Sequence, residues 1–330
     1  MALSKLSGDE QGVILGQLCN TLEPRLAVYF SSASSELRPL LPPAVRQQLR
    51  DDHEVATALC VKMGMRSCKE LREATTVGCH NKGLSATDLA TLSTLGSVLP
   101  ALEALELLEC RESADPDGVQ RLAEGLVAGA LPAVTILSIH NIHVGDAGAS
   151  ALAAALDRGA LPRLEVLDLT DAAIGDAALV ALAPALRRRP ALEYLCLDDN
   201  PFGDEGLAAL VAPPPPAGAP PLPTGGLKKL RTLDLRFTQV SDAGCAALAA
   251  ALVSGALPAL KVLYLSFTQV SDAGCAALAS ALDSGALPAL KTLQLDGIPA
   301  SDAAKAAVYE ARPNLLSARV DDESDDDEGS

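Results

Sequence analysis

Two adjoining stretches decide the fold: LKKLRTLDLRFTQVSDAGCAALAAALVSGA, residues 227–256, and LPALKVLYLSFTQVSDAGCAALASALDSGA, residues 257–286. Each opens on L-x-x-L-x-L, whose period of two is that of a strand, so Leu263 and Leu265 point inward while Val262, Tyr264 and Ser266 point outward. An apolar anchor follows at Val270. Ser271 and Asp272 then mark a helix start, because either side chain can accept from backbone N–H groups that lack a partner in the first turn. Leu278 and Leu282, four apart, share one helix face. The helix is expected to stop at Gly285, ahead of Pro288 in the next unit.

The same frame recurs along the chain. Counting the first leucine of each core gives positions 102, 134 (a valine), 164, 192, 230, 260 and 290, in steps of 32, 30, 28, 38, 30 and 30 residues. The long step holds a proline-rich insertion. The anchors are Val144, Ile174, Phe202, Val240 and Val270, and a weaker unit begins near Thr75. This pattern resembles the leucine-rich repeat of the ribonuclease-inhibitor type, and LEYLCLDDNPFGDEG, residues 192–206, is the best single match. The Asn that lines the turn in that family stands here only at Asn200; other units carry Ile142, Ala172, Thr238 and Thr268, so the turn ladder should be patchy. The resemblance implies an α/β solenoid. Strands spaced about 4.8 Å apart against helices about 8–10 Å apart should bend it into an open horseshoe, with a concave parallel sheet, outer helices and a helical N-terminal cap.

Composition agrees with a stack of thin layers. The chain is 49% apolar but only 2% aromatic, with no Trp, so Leu and Ala must fill the core. Net charge is −16, and seven of the acids lie in DDESDDDEGS at the end, leaving the body near −9. A nucleic-acid binder would carry a basic stripe, so that class is excluded, whereas a basic protein partner suits the charge. There is no apolar leader and no apolar run of about 18 residues, so neither secretion nor a membrane span is expected, and a cytoplasmic or nuclear location follows. Eight cysteines never form C-x-x-C and read as small buried hydrophobes. The phosphate-loop, nucleophile-elbow and H-E-x-x-H motifs are missing, so neither an enzyme nor a cofactor is expected. His80 and His140 fall two strands apart, about 10 Å, too far to share a metal.

Function should therefore sit on the concave face. The units at Leu227 and Leu257 are identical from Phe237 to Lys261 and from Phe267 to Lys291, save for Ala250/Ser280 and Val253/Asp283. Their outward strand residues nevertheless all differ, as expected of a duplication that diverged at a binding surface. The partner-binding candidates are Glu106, His140, Asp168, Asp198, Asp234, Arg236, Tyr264 and Asp296. Asp234 and Tyr264 are read as exposed and tolerant of Ala. Glu109, Asn141, Asp171, Asp199, Phe237 and Phe267 form the rim, where the two Phe either anchor a partner or pack into the turn. Acids dominate, so the partner is expected to be a protein with a basic surface.

The flanks read differently. Residues 1–68 are not repeats: Ser7 to Glu10 resembles a capping box, and the segment fits either a helical cap or a degenerate F-box, which would imply a ubiquitin-ligase substrate receptor. Residues 69–314 hold about eight units, with the proline-rich insertion at 212–226; Pro213 to Pro223 is similar to WW or SH3 ligands. Residues 315–330 form an acidic tail expected to be disordered, with Ser324 a possible phosphorylation site. Repeats followed by such a tail also resemble Ran GTPase-activating proteins. The main expectation is a non-catalytic interaction scaffold.

Overall fold

A computed structural model describes residues 19–32, 41–109, 117–212 and 227–316. The Ser7 capping box, most of the F-box-like stretch, Cys110, the proline-rich segment 213–226 and the acidic tail with Ser324 lie outside the described residues. The chain divides into two compact units, up to Leu167 and from Asp168 onward.

The first unit begins with helices α1 (Arg25–Ser32), α2 (Pro43–Lys62) and α3 (Cys68–Glu73). Strand and helix then alternate: β1 (Thr76–His80), α4 (Ala86–Leu95), β2 (Ala104–Leu108), α5 (Gly118–Gly125), β3 (Ile136–His140) and α6 (Gly145–Asp157). β1 pairs with β2 and β2 with β3, all parallel. His80 is in register with Leu108, and Leu108 with His140, so the two histidines are two strands apart as expected. Polar contacts fasten the opening helices to one another and to the first repeat. Lys62 Nζ donates to Asp88 Oδ2 at 2.5 Å, Arg72 pairs with Glu23, and His53 Nδ1 lies 2.7 Å from the Thr21 carbonyl. Asp88 also closes a capping box with Ser85 at the start of α4.

β4 (Val166–Asp168) straddles the division, and Asp168 opens the second unit. It is followed by α7 (Asp176–Arg187), β5 (Tyr194–Cys196), α8 (Asp204–Val211), β6 (Thr232–Asp234), α9 (Asp242–Val253), β7 (Val262–Tyr264), α10 (Asp272–Asp283), β8 (Thr292–Gln294) and α11 (Asp302–Glu310). The strands, β1 to β8, are ordered as in the chain, and β5 to β8 pair in parallel. A strand followed by a crossover helix and a parallel strand is the unit that the period switch from two to 3.6 predicts.

The leucines take the places read from the pattern: Leu233, Leu263 and Leu265 are buried, as are the anchors Val144, Ile174, Phe202, Val240 and Val270. Gly285 ends α10 at φ +84°, a left-handed conformation that costs glycine nothing sterically.

Helix starts depart from expectation in one respect. Asp272 does not cap its own helix; its Oδ1 accepts from Ser301 N–H of the next repeat at 2.6 Å, and its Oδ2 from Ser301 Oγ at 3.0 Å. Asp242 does the same for Ser271 N–H, Gly274 N–H and Ser271 Oγ, Asp204 for Ser241 and Gly244, and Asp176 for Gly203 and Gly206. An aspartate ladder thus joins consecutive helix N-termini. Each carboxylate satisfies N–H groups that the following helix leaves open, and its charge suits that helix's dipole. The Ser271 hydroxyl, followed by the backbone N–H groups, holds the Asp242 carboxyl below the usual range.

Candidate functional site

The outward strand positions of the second unit come from the same period-two pattern that buries the leucines. Between the strand leucines stand Asp168, Cys196, Asp234, Tyr264 and Gln294, of which Cys196, Asp234, Tyr264 and Gln294 are neighbours in register. Two residues further along each strand come Thr170, Asp198, Arg236, Ser266 and Asp296. Asp296 is exposed, while Asp168, Asp198, Arg236 and Tyr264 are half-buried.

Asp234 is not the exposed, tolerant residue expected; it is 1% exposed. The reason is Arg236, two residues on and therefore on the same face. Its Nε donates to Asp234 Oδ1 at 2.9 Å and its Nη2 to Asp234 Oδ2 at 2.7 Å. The same guanidinium lies 5.1 Å from the Tyr264 ring centroid and 3.4 Å from Asp198 Oδ2. A planar fork can satisfy a carboxylate through two bonds while stacking on a ring. Arg236 is thus the hub of an Asp234–Asp198–Tyr264 cluster. Its own pKa is pushed further up, first by the Asp234 hydrogen bonds. Asp198 is raised as well, which for a carboxylate disfavours the charged form: burial, then the charge of Asp234, take it to about 6, although Arg236 opposes the shift.

Other outward positions are also less open than the pattern implied. Ser266 is 0% exposed, and its Oγ accepts from Asp296 N–H at 3.2 Å. Cys196 and Gln294 are buried. Burial, then Asp168 and Asp234, push the Cys196 thiol to about 12, so it is a poor nucleophile at neutral pH. Asp168 Oδ1 accepts from Thr170 N–H and Oγ1, at 3.1 and 2.7 Å. In the first unit, Glu106 lies 3.8 Å from His80 Nε2, and His140 is half-buried on β3. Among the described residues no cluster could hold a metal ion, and no helix is long and apolar enough to cross a membrane.

The rim holds an unusual backbone. Asn141, Asp171, Asp199, Phe237 and Phe267 have φ of +56°, +51°, +52°, +50° and +59°, and Gly297 continues the column at +64°. Asn, Asp and Gly tolerate this left-handed region, but a bulky side chain there costs about 1–2 kcal/mol. Phe237 and Phe267 occupy it nonetheless. Their rings stack, with centroids 4.4 Å apart and planes within 8°, and they remain 50% and 47% exposed. They therefore do not pack into the turn core. Backbone bonds fix the column: Asp199 N–H donates to Arg236 O, Phe237 N–H to Ser266 O, and Phe267 N–H to Asp296 O.

Turn interiors use a different device. Asn200 Oδ1 accepts from Ala172 and Ile174 N–H, and its Nδ2 donates to Leu169, Leu197 and Asp198 O. Thr238 and Thr268 supply only a donor, to Leu235 O and Leu265 O, so the ladder is as patchy as expected. Glu109, read as a rim residue, is 1% exposed and accepts from Gly83 and Leu84 N–H. It fills the acceptor role in the first unit.

Four segments, residues 161–183, 190–211, 226–249 and 257–279, match the Leucine Rich repeat family. Each takes in one strand, from β4 to β7. No curated protein matches the sequence. Among solved structures, an internalin from Listeria monocytogenes is similar at 16% identity with a TM-score of 0.43; the match covers 79% of this chain and 62% of that one. This chain thus spans less than two thirds of that structure. Parallel strands in chain order, crossover helices after them and four matched repeats identify a leucine-rich-repeat solenoid fold.

Proposed function

We propose that this chain is a non-catalytic scaffold whose second unit presents an acidic strand face to a protein partner with a basic surface. One observation carries the reading. Arg236, the single cation on these strand positions, is already engaged by Asp234 and Asp198, and Asp296 stands exposed beyond that cluster, so acids outnumber cations on this face. Complementary charge speeds encounter and selects partners more than it adds affinity. The Cys196 thiol, held protonated at neutral pH, gives this face no ready nucleophile. Repeat spacing and strand–helix alternation support units of the ribonuclease-inhibitor type. The Lys62–Asp88 pair supports residues 1–68 as a cap on the first repeat.

The test is residue-resolved NMR of the full chain titrated with a blocked tetra-lysine peptide. Amide shifts should centre on Asp168, Asp198, Arg236, Tyr264 and Asp296, and should fade in Asp198→Asn/Asp296→Asn. Shifts confined to residues 315–330 would mean that the tail, and not this face, attracts cations.

A further inference from the structure

We infer that the Phe237–Phe267 stack is an arginine-reading shelf, on which a partner's guanidinium lies flat against the rings while pairing with Asp199. The inference rests on the acidic-face reading for the sign of the partner's charge, and on separate observations for the subsite itself.

Three of these converge. First, two phenylalanines hold the left-handed backbone where other repeats place Asn141, Asp171, Asp199 or Gly297. Conformational strain that persists in a bulky residue is a mark of function when packing does not demand it. Here both rings are about half exposed, so core packing does not explain them. Second, the stack is bounded. A Cβ at Gly297 would come within 2.4 Å of the Phe267 ring, so that end is filled by the glycine backbone. At the other end Asp199 is exposed and one strand from Phe237, through its N–H bond to Arg236 O. Third, the molecule already builds the same kind of contact internally: Arg236 lies over Tyr264 while its fork grips Asp234. An aromatic face beside a carboxylate is what a guanidinium recognises. An ammonium is compact and strongly hydrated, and gains less from a flat ring. A neutral aromatic or proline-rich segment would stack on the rings but leave the surrounding carboxylates unused.

Calorimetry of the full chain with blocked tetra-arginine and tetra-lysine peptides tests the shelf. Tetra-arginine should bind about tenfold tighter, with ring-proton shifts at Phe237 and Phe267. In Phe237→Asn/Phe267→Asn the two peptides should bind within about twofold of each other. Thermal stability should hold or rise, because asparagine suits the left-handed backbone. Should that variant fold poorly, Phe237→Leu/Phe267→Leu keeps the bulk and loses the π face, with the same expectation. Equal binding of the two peptides to the unmodified chain overturns the shelf. So does an arginine preference that survives loss of both rings, or a neutral proline-rich peptide that binds more tightly with the same ring shifts. Asp198→Asn/Asp296→Asn separates the two readings, since it should weaken both peptides alike and keep their ratio. Salt-dependent binding without arginine preference sinks only the shelf. A ring-dependent preference in a chain indifferent to Asp198→Asn/Asp296→Asn sinks only the acidic face.

Discussion

Asp198 is held between burial and the Asp234 charge, which disfavour its ionised form, and Arg236, which favours it. The first two win, and the carboxyl sits at about 6 instead of its ordinary 3.8. A carboxyl raised on folding contributes most stability below its unfolded pKa, and that contribution is lost as pH rises through the folded value. The stability difference between the unmodified chain and Asp198→Asn should therefore change between about pH 4 and 6 and be flat outside that window, by denaturant unfolding at several pH values. A ¹³C-detected titration should place the Asp198 midpoint near 6; a midpoint near 4 would mean that the cluster is open to water. Asp234→Ala should cost about 1–3 kcal/mol, because it removes a buried acceptor and leaves the guanidinium to Asp198 alone. Tyr264→Ala should cost about 1 kcal/mol or less for its half-exposed cation–π contact. Equal costs for the two would refute Arg236 as the hub. The alternation in TLDLR, residues 232–236, told which side chains leave the core, and so made Asp234 a candidate for exposure. It did not tell that an arginine two places on would cover it, because period two fixes a face and says nothing about which long side chain lies down on it.

Between elements, stability depends on contacts that cross from one repeat to the next. Gly244, Gly274 and Gly206 are required by the aspartate ladder: a Cβ would come within 2.4, 2.6 and 2.9 Å of the Asp204, Asp242 and Asp176 carboxylates. Gly274→Ala should accordingly destabilise by about 1–3 kcal/mol, the usual cost of overpacking, although alanine is the better helix former. Asn200→Thr keeps a donor but strands the Ala172 and Ile174 N–H groups in the core, at about 2–4 kcal/mol. Both are read from urea midpoints with the m-value unchanged. A Gly274→Ala variant more stable than its parent would show that the ladder yields freely. The helix starts were legible as Ser-Asp and Gly-Asp pairs, and the strand order as the step of about thirty residues. What escaped was the ladder's direction, since a pattern within one unit cannot show that its Asp serves the next. Glu109 escaped too, because it lies beside the irregular CRESADPDG stretch, residues 110–118, where the repeat frame is broken. Equally hidden was the division at Leu167 and Asp168, for the same leucine pattern runs through both units.

Taken as a whole the chain carries −16, and the fold arranges part of that charge on one strand face of the second unit. Like charges at strand spacing repel, yet solvent screens exposed pairs over about 8 Å at physiological salt, so the array persists in the unbound protein. A cationic partner exchanges this repulsion for attraction, and the gain should appear mainly in the rate of encounter. The variant that tests it must spare Asp234, whose buried bond to Arg236 would confuse lost binding with lost stability. Asp168→Asn, Asp198→Asn and Asp296→Asn together remove the charge, while the amide oxygen introduced by Asp168→Asn still accepts from the Thr170 hydroxyl. Stopped-flow association of a dansyl-labelled tetra-lysine peptide should slow about tenfold in this triple variant at roughly 20 mM salt and differ little at roughly 300 mM. At neutral pH its stability should equal or exceed the parent's, because Asp198→Asn removes a carboxylate whose ionised form the fold disfavours. The acidic tail is common to both proteins, so the difference between them isolates the strand face. An association rate that falls with salt by the same factor in both would assign the electrostatic attraction to charges elsewhere on the chain.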